Sequence, residues 1–470
     1  MTEIKFGTSG WRGIMADDFT LANVRLAVQG IARYLRSVKP AGAKVIVARD
    51  ARFLGETLVA EAETILAGNG IVALMVAQPA PTPAIAYEIM QLKADGAINF
   101  TASHNPPEYN GIKFSTSDGA PALPEVTKKI EAEIAEIKDL PNKVAAASGM
   151  KGAASQAIEV KSKYLKRLRE VIDLGLIKSA GLRVAFDPLW GAARGYSDEL
   201  LREAGVEVAT LHDTRDVLFG GHAPEPDDHL LDALRQEMRA WGAHIGIATD
   251  GDADRFGILD EDGTYISPNH VLALLFDYLV ETRGWKNGVA KSVATTNLIN
   301  ALAEHYGIEL HETPVGFKYI GELIKQDKIA IGGEESAGLS IRHHVPDKDG
   351  ILAGLLCCEM RARRKQPLRE QLQSLFAKVG SFYPLRENFR LTEEVKAKFT
   401  GKLGQQPLEF SGRKVSKVVR TDGLKLLFED GAWVCYRLSG TEPVVRIYTE
   451  ARSPSDLAKL SAAAKEWVLQ

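Results

Sequence analysis

Residues 245–259 read IGIATDGDADRFGIL, two short apolar runs with an acidic loop between them. The runs Ile245–Ala248 and Phe256–Leu259 have the composition of buried strands. In an extended loop, three aspartates at alternate positions would face one side: Asp250, Asp252 and Asp254. The stretch therefore predicts a strand, an acidic loop and a second strand within an α/β unit.

The same alternation of short apolar runs and helical patterns extends along the chain. Strand-like runs include KVIVA at 44–48 and RVAF at 183–186, and helical patterns include Leu21–Val38 and Leu230–Trp241. Alternation of this kind favours α/β units on a mixed or parallel sheet.

A faint repeat predicts that several of these units are similar. A helix, a glycine, a short strand and a proline-marked loop follow one another three times, with the glycines at Gly70, Gly205 and Gly307. Each glycine is expected to end its helix in a left-handed conformation. The tail after Pro384 differs, which favours a smaller α+β domain. It has strand-like pieces at 414–419, 424–428, 433–438 and 444–450, followed by one helix pattern at 453–469. The predicted domains are 1–148, 149–256, 257–377 and 378–470.

Composition argues against several classes of protein. The chain has 470 residues and a formal net charge of -3, without the basic footprint of a nucleic-acid-binding protein. Its apolar runs are far shorter than the ~20 residues of a membrane-spanning helix. No leader pattern is visible at the start. We therefore expect a soluble cytoplasmic protein with neither nucleic acid nor membrane as a partner.

The acidic loop predicts a site for a hard cation. Three converging carboxylates repel one another unless a cation lies among them, and oxygen ligands suit Mg²⁺ or Ca²⁺. A calcium-hand loop is one alternative, although Arg255 stands where that loop requires glycine. A solvated acidic turn is another. Magnesium held for phosphate chemistry is favoured, because the Arg255 guanidinium can bind phosphate oxygens beside the metal.

A polar loop around Ser103 lies between the buried strand pattern Gly96–Phe100 and a second strand pattern, Ile112–Ser115. Ser103 can belong to a plain turn in which it bonds the backbone. A hydrolase nucleophile is a second interpretation, but no Gly-x-Ser-x-Gly elbow surrounds it. A phosphorylated serine is the third, because one phosphate oxygen could complete a magnesium site.

Five separated motifs, taken together, resemble those of the α-D-phosphohexomutase family. They are FGTSGWRG at 6–13, TASHNP at 101–106, DGDADR at 250–255, GEESAG at 333–338 and RLSGTEP at 437–443. The resemblance implies an α/β fold of four domains around a central cleft. Three would be similar α/β/α sandwiches with mixed sheets, and the fourth a smaller C-terminal α+β domain.

The resemblance also implies residue roles. Ser103 matches the phosphoserine and, through its phosphate, a magnesium ligand beside Asp250, Asp252 and Asp254. Ala253 stands where the family usually has glycine. The other matched catalytic residues are Arg12, His104 and Lys113. For Lys113 a lowered pKa is expected, which would suit general acid/base catalysis.

Substrate-binding roles follow in the same way. Glu334 and Ser336 match the pair that bonds two sugar hydroxyls, and a carboxylate and a hydroxyl two residues apart suit that task. An arginine, hydroxyls and exposed backbone N–H groups suit a phosphate clamp. The matched clamp residues are Arg437, Ser439, Gly440 and Thr441, with Arg446 assisting. The remaining matched residues are Thr8, Arg255, Gly316 and Lys348.

The implied activity is interconversion of hexose 1-phosphate and hexose 6-phosphate through phospho-Ser103. A hexose 1,6-bisphosphate is the expected intermediate and activator, and one Mg²⁺ per chain the expected metal. GEES at 333–336 resembles the phosphoglucomutase form of this loop, so the resemblance favours glucose phosphate. Mannose phosphate, dual specificity and glucosamine phosphate are alternatives within the family. A sugar-phosphate phosphatase or binding protein is the alternative outside it. The chain is expected to be a monomer or a homodimer.

Overall fold

The computed structural model describes residues 4–7, 10–139, 144, 154–438 and 444–469. The domain boundary predicted at residue 148 lies outside these residues. Four β-sheets follow one another along the chain, and helices pack around them. Each sheet with its helices is called a unit here, numbered first to fourth.

The first unit contains strands β1 (Trp11–Ile14), β2 (Lys44–Arg49), β3 (Val72–Val76), β4 (Gly96–Phe100), β5 (Tyr109–Thr116) and β6 (Gln156–Ile158). Its helices are α1 (Leu21–Val38), α2 (Gly55–Gly68), α3 (Thr82–Leu92) and α4 (Pro124–Ile137). The six strands lie in the order β1-β5-β4-β2-β3-β6.

The second unit contains strands β7 (Arg183–Asp187), β8 (Glu207–Thr210), β9 (Ile245–Thr249), β10 (Phe256–Asp260) and β11 (Tyr265–Ile266). Its helices are α5 (Lys161–Val171), α6 (Leu174–Ser179), α7 (Ser197–Glu203) and α8 (Asp232–Trp241). The strand order is β11-β10-β9-β7-β8.

The third unit contains strands β12 (Gly288–Ser292), β13 (Leu310–Thr313), β14 (Ile329–Glu334) and β15 (Gly338–Ile341), in the order β13-β12-β14-β15. Its helices are α9 (Pro268–Arg283), α10 (Leu298–Tyr306), α11 (Phe317–Lys325), α12 (Gly350–Arg364) and α13 (Leu368–Val379).

The fourth unit contains strands β16 (Tyr383–Arg390), β17 (Glu409–Phe410), β18 (Arg413–Val419), β19 (Leu424–Phe428), β20 (Trp433–Leu438) and β21 (Val444–Ala451). Its helices are α14 (Glu393–Lys402) and α15 (Pro454–Leu469). The order is β16-β21-β20-β19-β18-β17, and every neighbouring pair is antiparallel.

The first three units share one strand order. The shared order begins with one antiparallel pair and continues with parallel strands: β5-β4-β2-β3, then β10-β9-β7-β8, then β15-β14-β12-β13. The three glycines of the sequence repeat precede β3, β8 and β13, with φ of 71° at Gly70, 81° at Gly205 and 63° at Gly307. The predicted left-handed glycines and the predicted similarity of three α/β units are therefore confirmed.

The repeat places the three loops singled out by the sequence at equivalent positions. The serine loop joins β4 to β5, the acidic loop joins β9 to β10, and the GEES loop joins β14 to β15. Each contains one non-glycine residue in the left-handed region, with φ of 55° at Ser103, 61° at Ala253 and 67° at Ala337. The three candidate loops are thus the same antiparallel hairpin in successive units.

Two local expectations are wrong in detail. The acidic loop is not extended, because Ala253 turns the chain and its N–H donates to the Asp250 carbonyl at 3.0 Å. The strand after the serine loop begins at Tyr109 rather than Ile112, because Ile14 pairs with Tyr109 and Trp11 with Ile112. That partner strand, β1, has no clear strand pattern in the sequence.

The fourth unit confirms most of the predicted tail. The strand patterns 414–419, 424–428, 433–438 and 444–450 coincide with β18 to β21, and the final helix is α15. Strand β16 was not predicted from the sequence, although it pairs with β21 from Tyr383 to Arg390. It is an edge strand whose side chains are mostly half-buried or exposed, so it lacks an apolar run.

Helix α12 packs its first turn against the acidic loop. The Gly350 N–H donates to the Ala253 carbonyl at 3.1 Å. A Cβ at Gly350 would lie 2.2 Å from the Arg255 carbonyl oxygen. This close approach holds α12 of the third unit against the acidic loop of the second. Among the described residues, no helix combines the length and apolarity needed to cross a membrane.

Gly350→Ala should therefore strain the contact between α12 and the acidic loop. We expect it to lower the free energy of unfolding by about 1–3 kcal/mol, the usual range for overpacking. Gly401→Ala is the matched control, because nothing lies within 4 Å of a Cβ built there and alanine favours the helix. Calorimetric unfolding of both variants is the measurement. Equal stability of both would contradict the close approach.

Candidate active site

The acidic loop places three carboxylates together at the end of β9. Asp250, Asp252 and Asp254 are fully buried, and the oxygens they can offer to a metal lie within 4.8 Å of one another. The turn at Ala253 achieves this convergence in place of the predicted extended segment. Burying three like charges at this spacing is strongly unfavourable without positive charge nearby.

Lysines from two other units supply positive charge to this cluster. Lys113 Nζ, from β5, lies 2.5 Å from Asp252 Oδ2 and 2.6 Å from Asp254 Oδ2. Lys348 Nζ, from the loop before α12, lies 2.7 Å from Asp254 Oδ2. Asp254 thus joins residues of the first and third units to the second.

Burial and charge act in opposite directions on these groups. Burial raises the pKa of Asp250 well above its ordinary value, and Asp252 and Asp254 raise it further. Burial would also raise the pKa of Asp254, but Lys113 and Lys348 lower it. For Lys113, burial lowers the pKa, yet Asp252 and Asp254 raise it more. The expected lowering of the Lys113 pKa is therefore wrong for these contacts.

The carboxylates keep oxygens that suit a hard cation. Within the described part of the chain, the buried atoms Asp252 Oδ1 and Asp254 Oδ1 have no hydrogen-bond partner. Unpaired buried carboxylate oxygens are unfavourable and are commonly satisfied by a metal ion. An all-oxygen donor set fits Mg²⁺. The three aspartates would hold the ion.

Ser103 lies directly against this cluster. Its Oγ donates to Asp250 Oδ2 at 2.7 Å, and the side chain is buried. His104 Nδ1 lies 3.4 Å from Ser103 Oγ. Burial lowers the pKa of His104 well below its ordinary value, and Arg255 and Arg12 lower it further, which favours the neutral imidazole. The predicted serine and the predicted metal cluster therefore form one site.

Two arginines border the serine loop. Arg12 Nη1 donates to Asn105 Oδ1 at 2.6 Å, which ties the arginine to the loop. The Arg255 backbone N–H donates to Asp250 Oδ1 at 3.0 Å, and its Nη1 lies 3.5 Å from Glu225 Oε1. Both guanidinium groups lie near enough to His104 to lower its pKa.

Sequence reasoning missed Arg52, which holds the serine loop from inside. Its guanidinium is fully buried and donates to four loop carbonyls at 2.6–2.9 Å, those of Ser103, Asn105, Pro106 and Tyr109. Its Nε donates to Asp50 Oδ2 at 3.1 Å. Asp50 also accepts from Thr101 Oγ1 at 2.6 Å, and Thr101 Oγ1 accepts from the Ser103 N–H at 2.9 Å.

A signal for this pair was present in the sequence. Asp50 and Arg52 directly follow β2, which lies beside β4 in the sheet. Polar residues after neighbouring parallel strands meet at the same edge, where α/β sheets bind ligands.

The GEES loop places Glu334 at the end of β14. Glu334 Oε1 accepts the Gly316 N–H at 2.7 Å, so two predicted binding residues are in direct contact. Burial, with the neighbouring Glu335 charge, raises the pKa of Glu334 to about 7. Glu335 turns away and accepts from Ser292 Oγ at 3.0 Å. Ser336 follows it on the loop, half-buried.

The fourth unit brings arginines toward the third. Arg437 Nη2 lies 2.8 Å from Asp422 Oδ2, and the same oxygen accepts the Val315 N–H at 3.0 Å. Arg446 on β21 is the cross-strand partner of Arg437 on β20, so both side chains lie on one face. The predicted residues Thr8, Ser439, Gly440 and Thr441 lie outside the described residues.

Family models cover most of the chain in four consecutive pieces, all of the phosphoglucomutase/phosphomannomutase type. They are alpha/beta/alpha domain I at residues 3–140, domain II at 162–263, domain III at 267–379 and the C-terminal domain at 388–466.

Full-length relatives carry different substrate names. A phosphoglucomutase/phosphomannomutase of Thermococcus kodakarensis is 31% identical, over 95% of this chain and 94% of the relative. A phosphoglucosamine mutase of Alkaliphilus oremlandii is 31% identical, over 97% of this chain and 96% of the relative. The crystal structure of a candidate phosphomannomutase from Thermus thermophilus has a TM-score of 0.85 and 32% identity, over the full length of both chains.

Arg52→Lys should loosen the serine loop. Lysine has three donors against five and cannot span Asp50 and four carbonyls. Each buried group left unpaired costs about 1–3 kcal/mol. We expect a lower melting temperature and faster hydrogen exchange at the amides of residues 101–110.

Arg25→Lys is the control, because Arg25 forms an exposed pair with Glu61. Such pairs contribute about 0–1 kcal/mol, so little change is expected. Unchanged exchange in the serine loop of Arg52→Lys would refute the role given to Arg52.

Proposed function

We propose that this chain, which belongs to the phosphoglucomutase/phosphomannomutase family, interconverts glucose 1-phosphate and glucose 6-phosphate through phosphorylated Ser103. Members of the family are mutases, that is, intramolecular phosphotransferases. One observation carries the proposal for Ser103. Its buried hydroxyl bonds Asp250 within a cluster where carboxylates, lysines and arginines of three units meet.

Phospho-Ser103 is proposed to donate its phosphoryl group to the free hydroxyl of a bound hexose phosphate. The bond from phosphorus to Ser103 Oγ breaks, and a bond to the sugar oxygen forms. The hydroxyl proton must reach Ser103 Oγ for the half-reaction to balance. His104, whose Nδ1 lies 3.4 Å from that oxygen, and Lys113 are proposed to carry the proton.

The resulting hexose 1,6-bisphosphate reorients in the cleft. Ser103 then takes the phosphoryl group that it did not donate. Asp250, Asp252 and Asp254 would hold Mg²⁺, which supplies Lewis-acid stabilisation of the transferring group. Arg12, Arg255 and Lys348 add fixed positive charge, and positioning and electrostatics dominate phosphoryl transfer.

Glu334 and Ser336 are proposed to bond two sugar hydroxyls, with Gly316 fixing the Glu334 carboxylate. Arg437, with the clamp residues Ser439, Gly440 and Thr441, is proposed to bind the phosphate that does not react, assisted by Arg446. The same clamp must hold the bisphosphate in both orientations. Thr8 is proposed to contact substrate as well.

Buried polar contacts between the third and fourth units support this binding mode. Lys425 Nζ donates to the Val293 carbonyl at 2.8 Å, and Glu450 Oε1 accepts the Asn297 N–H at 2.9 Å. Asp422 lies between Val315 and Arg437, so the loop that holds Glu334 and the proposed phosphate clamp share one carboxylate. The loop proposed to bind the sugar hydroxyls and the clamp proposed to bind the unreacting phosphate would therefore be joined through Asp422.

Glucose phosphate is proposed because GEES at 333–336 resembles the phosphoglucomutase form of this loop. Relatives named for glucose, mannose and glucosamine phosphates have similar identity to this chain. Mannose phosphate therefore stays as the second candidate. It is favoured because the Glu334 and Ser336 pair does not contact C2 in the proposed binding mode.

Ser103→Ala should remove mutase activity and leave the fold intact, because alanine fits the same space but cannot carry phosphate. We expect kcat to fall by at least about a thousand-fold. The native chain should purify partly phosphorylated, visible as a higher intact mass that the variant lacks. Retained mutase activity, or inorganic phosphate released as fast as isomer, would argue against a phosphoserine mutase.

Substrate preference can be measured by comparing glucose, mannose and glucosamine 1-phosphates with and without Mg²⁺. We expect the highest kcat/KM for glucose 1-phosphate, and no turnover once a chelator removes the metal. Glu334→Gln should raise KM for glucose and mannose phosphates alike, because the lost carboxylate contacts hydroxyls common to both. A selective loss for one sugar would contradict the proposed binding mode.

A further inference from the structure

The proline-marked loop 79–83 of the first unit has no part in the function proposed so far. Thr82 lies within it and begins helix α3. We propose that Thr82 is a positioning residue that fixes the Asp252 carboxylate so that its Oδ1 atom faces the metal. This inference rests on the proposed magnesium site.

Two hydrogen bonds join Thr82 to Asp252 across the boundary between the first and second units. Thr82 Oγ1 donates to Asp252 Oδ2 at 2.5 Å. The Thr82 N–H donates to the Asp252 carbonyl oxygen at 2.9 Å. The Thr82 side chain and the Asp252 side chain are both buried. One threonine therefore fixes both the backbone and the carboxylate of Asp252.

Asn99 orients the Thr82 hydroxyl. Asn99 Nδ2 donates to Thr82 Oγ1 at 3.1 Å, and Asn99 is itself buried on β4. An amide nitrogen can only donate, so the single hydroxyl proton of Thr82 is left for Asp252. The hydrogen bonds from Asn99 to Thr82 and from Thr82 to Asp252 therefore run in one direction.

These contacts give the two carboxylate oxygens of Asp252 different roles: one contacts the protein and the other is left for the metal. Oδ2 receives the Thr82 hydroxyl and the Lys113 ammonium, both at 2.5 Å. Oδ1 is buried and has no hydrogen-bond partner within the described part of the chain. Without the Thr82 hydroxyl, Oδ2 would keep the Lys113 contact alone, and the orientation of the carboxylate would be less firmly fixed.

The same series of hydrogen bonds links the three-aspartate cluster to the serine loop. Asn99 lies four residues before Ser103, on the strand that leads into the serine loop. Thr82 thus couples the position of a proposed metal ligand to the strand that carries the nucleophile. Residues that hydrogen-bond metal ligands typically change metal affinity by about 10–100-fold when lost.

The test is Mg²⁺ binding to the purified full-length chain by calorimetric titration. Thr82→Val removes the hydroxyl at nearly constant volume, and Thr82→Ser keeps it. We expect the dissociation constant for Mg²⁺ to rise about 10-fold or more in Thr82→Val and to stay within about threefold of native in Thr82→Ser. Thr449→Val, at a buried threonine of the fourth unit, is the matched control.

Activity gives a second measurement. If Thr82 acts through the metal ligand, the Mg²⁺ concentration for half-maximal rate should rise in Thr82→Val, and kcat should recover at saturating Mg²⁺. If Thr82→Val unfolds at a much lower temperature, Thr82→Ala replaces it, since the smaller side chain introduces no new contact. Rescue by serine separates loss of the hydroxyl from loss of packing.

Unchanged Mg²⁺ affinity in the folded valine or alanine variant would overturn the role of Thr82. Equal weakening in the serine variant, or in Thr449→Val, would overturn it too. Both outcomes leave the proposed function standing, because native binding and turnover are measured in parallel. If the native chain binds no Mg²⁺, the proposed metal site and the role of Thr82 both fail.

Discussion

Three buried carboxylates within 4.8 Å of one another are the constraint on which the arrangement of the units depends. Their repulsion cannot be relieved by water in a fully buried site. Part of the positive charge that offsets this repulsion comes from outside the second unit. Lys113 of the first unit and Lys348 of the third both contact Asp254. The lysines that offset part of the cost of burying Asp250, Asp252 and Asp254 thus reach the cluster when three units are assembled.

One hairpin is repeated in three units and carries a different set of polar residues in each. The turns after β4, β9 and β14 carry the serine, the aspartates and the GEES residues. Each turn holds a non-glycine residue at positive φ, a conformation that costs about 1–3 kcal/mol and persists where the surroundings enforce it. Arg52 supplies that enforcement for the serine loop, since its donors bond four carbonyls there. The scaffold is shared, and the residues at the turn differ between the units.

The sequence by itself determined the elements whose pattern is local. Helix α1 and strand β4 lie where their apolar residues predict them, and Gly70, Gly205 and Gly307 end helices as expected. The motifs also identified the serine, the aspartates and the GEES loop, because each is a short contiguous run. Strands β1 and β16 were missed, because an edge strand needs no continuous apolar pattern.

Only the tertiary structure decided which charges meet. Lys113 and Asp254 are 141 positions apart, and Lys348 and Asp254 are 94 apart. Arg52 reaches the serine loop over 51–57 positions, and Thr82 reaches Asp252 over 170. Periodicity describes the face on which a side chain lies within its own element and carries no information about its partner in another unit. The sequence predicts a lowered pKa for Lys113, but Asp252 and Asp254 raise it. Only the tertiary structure brings these carboxylates to the lysine.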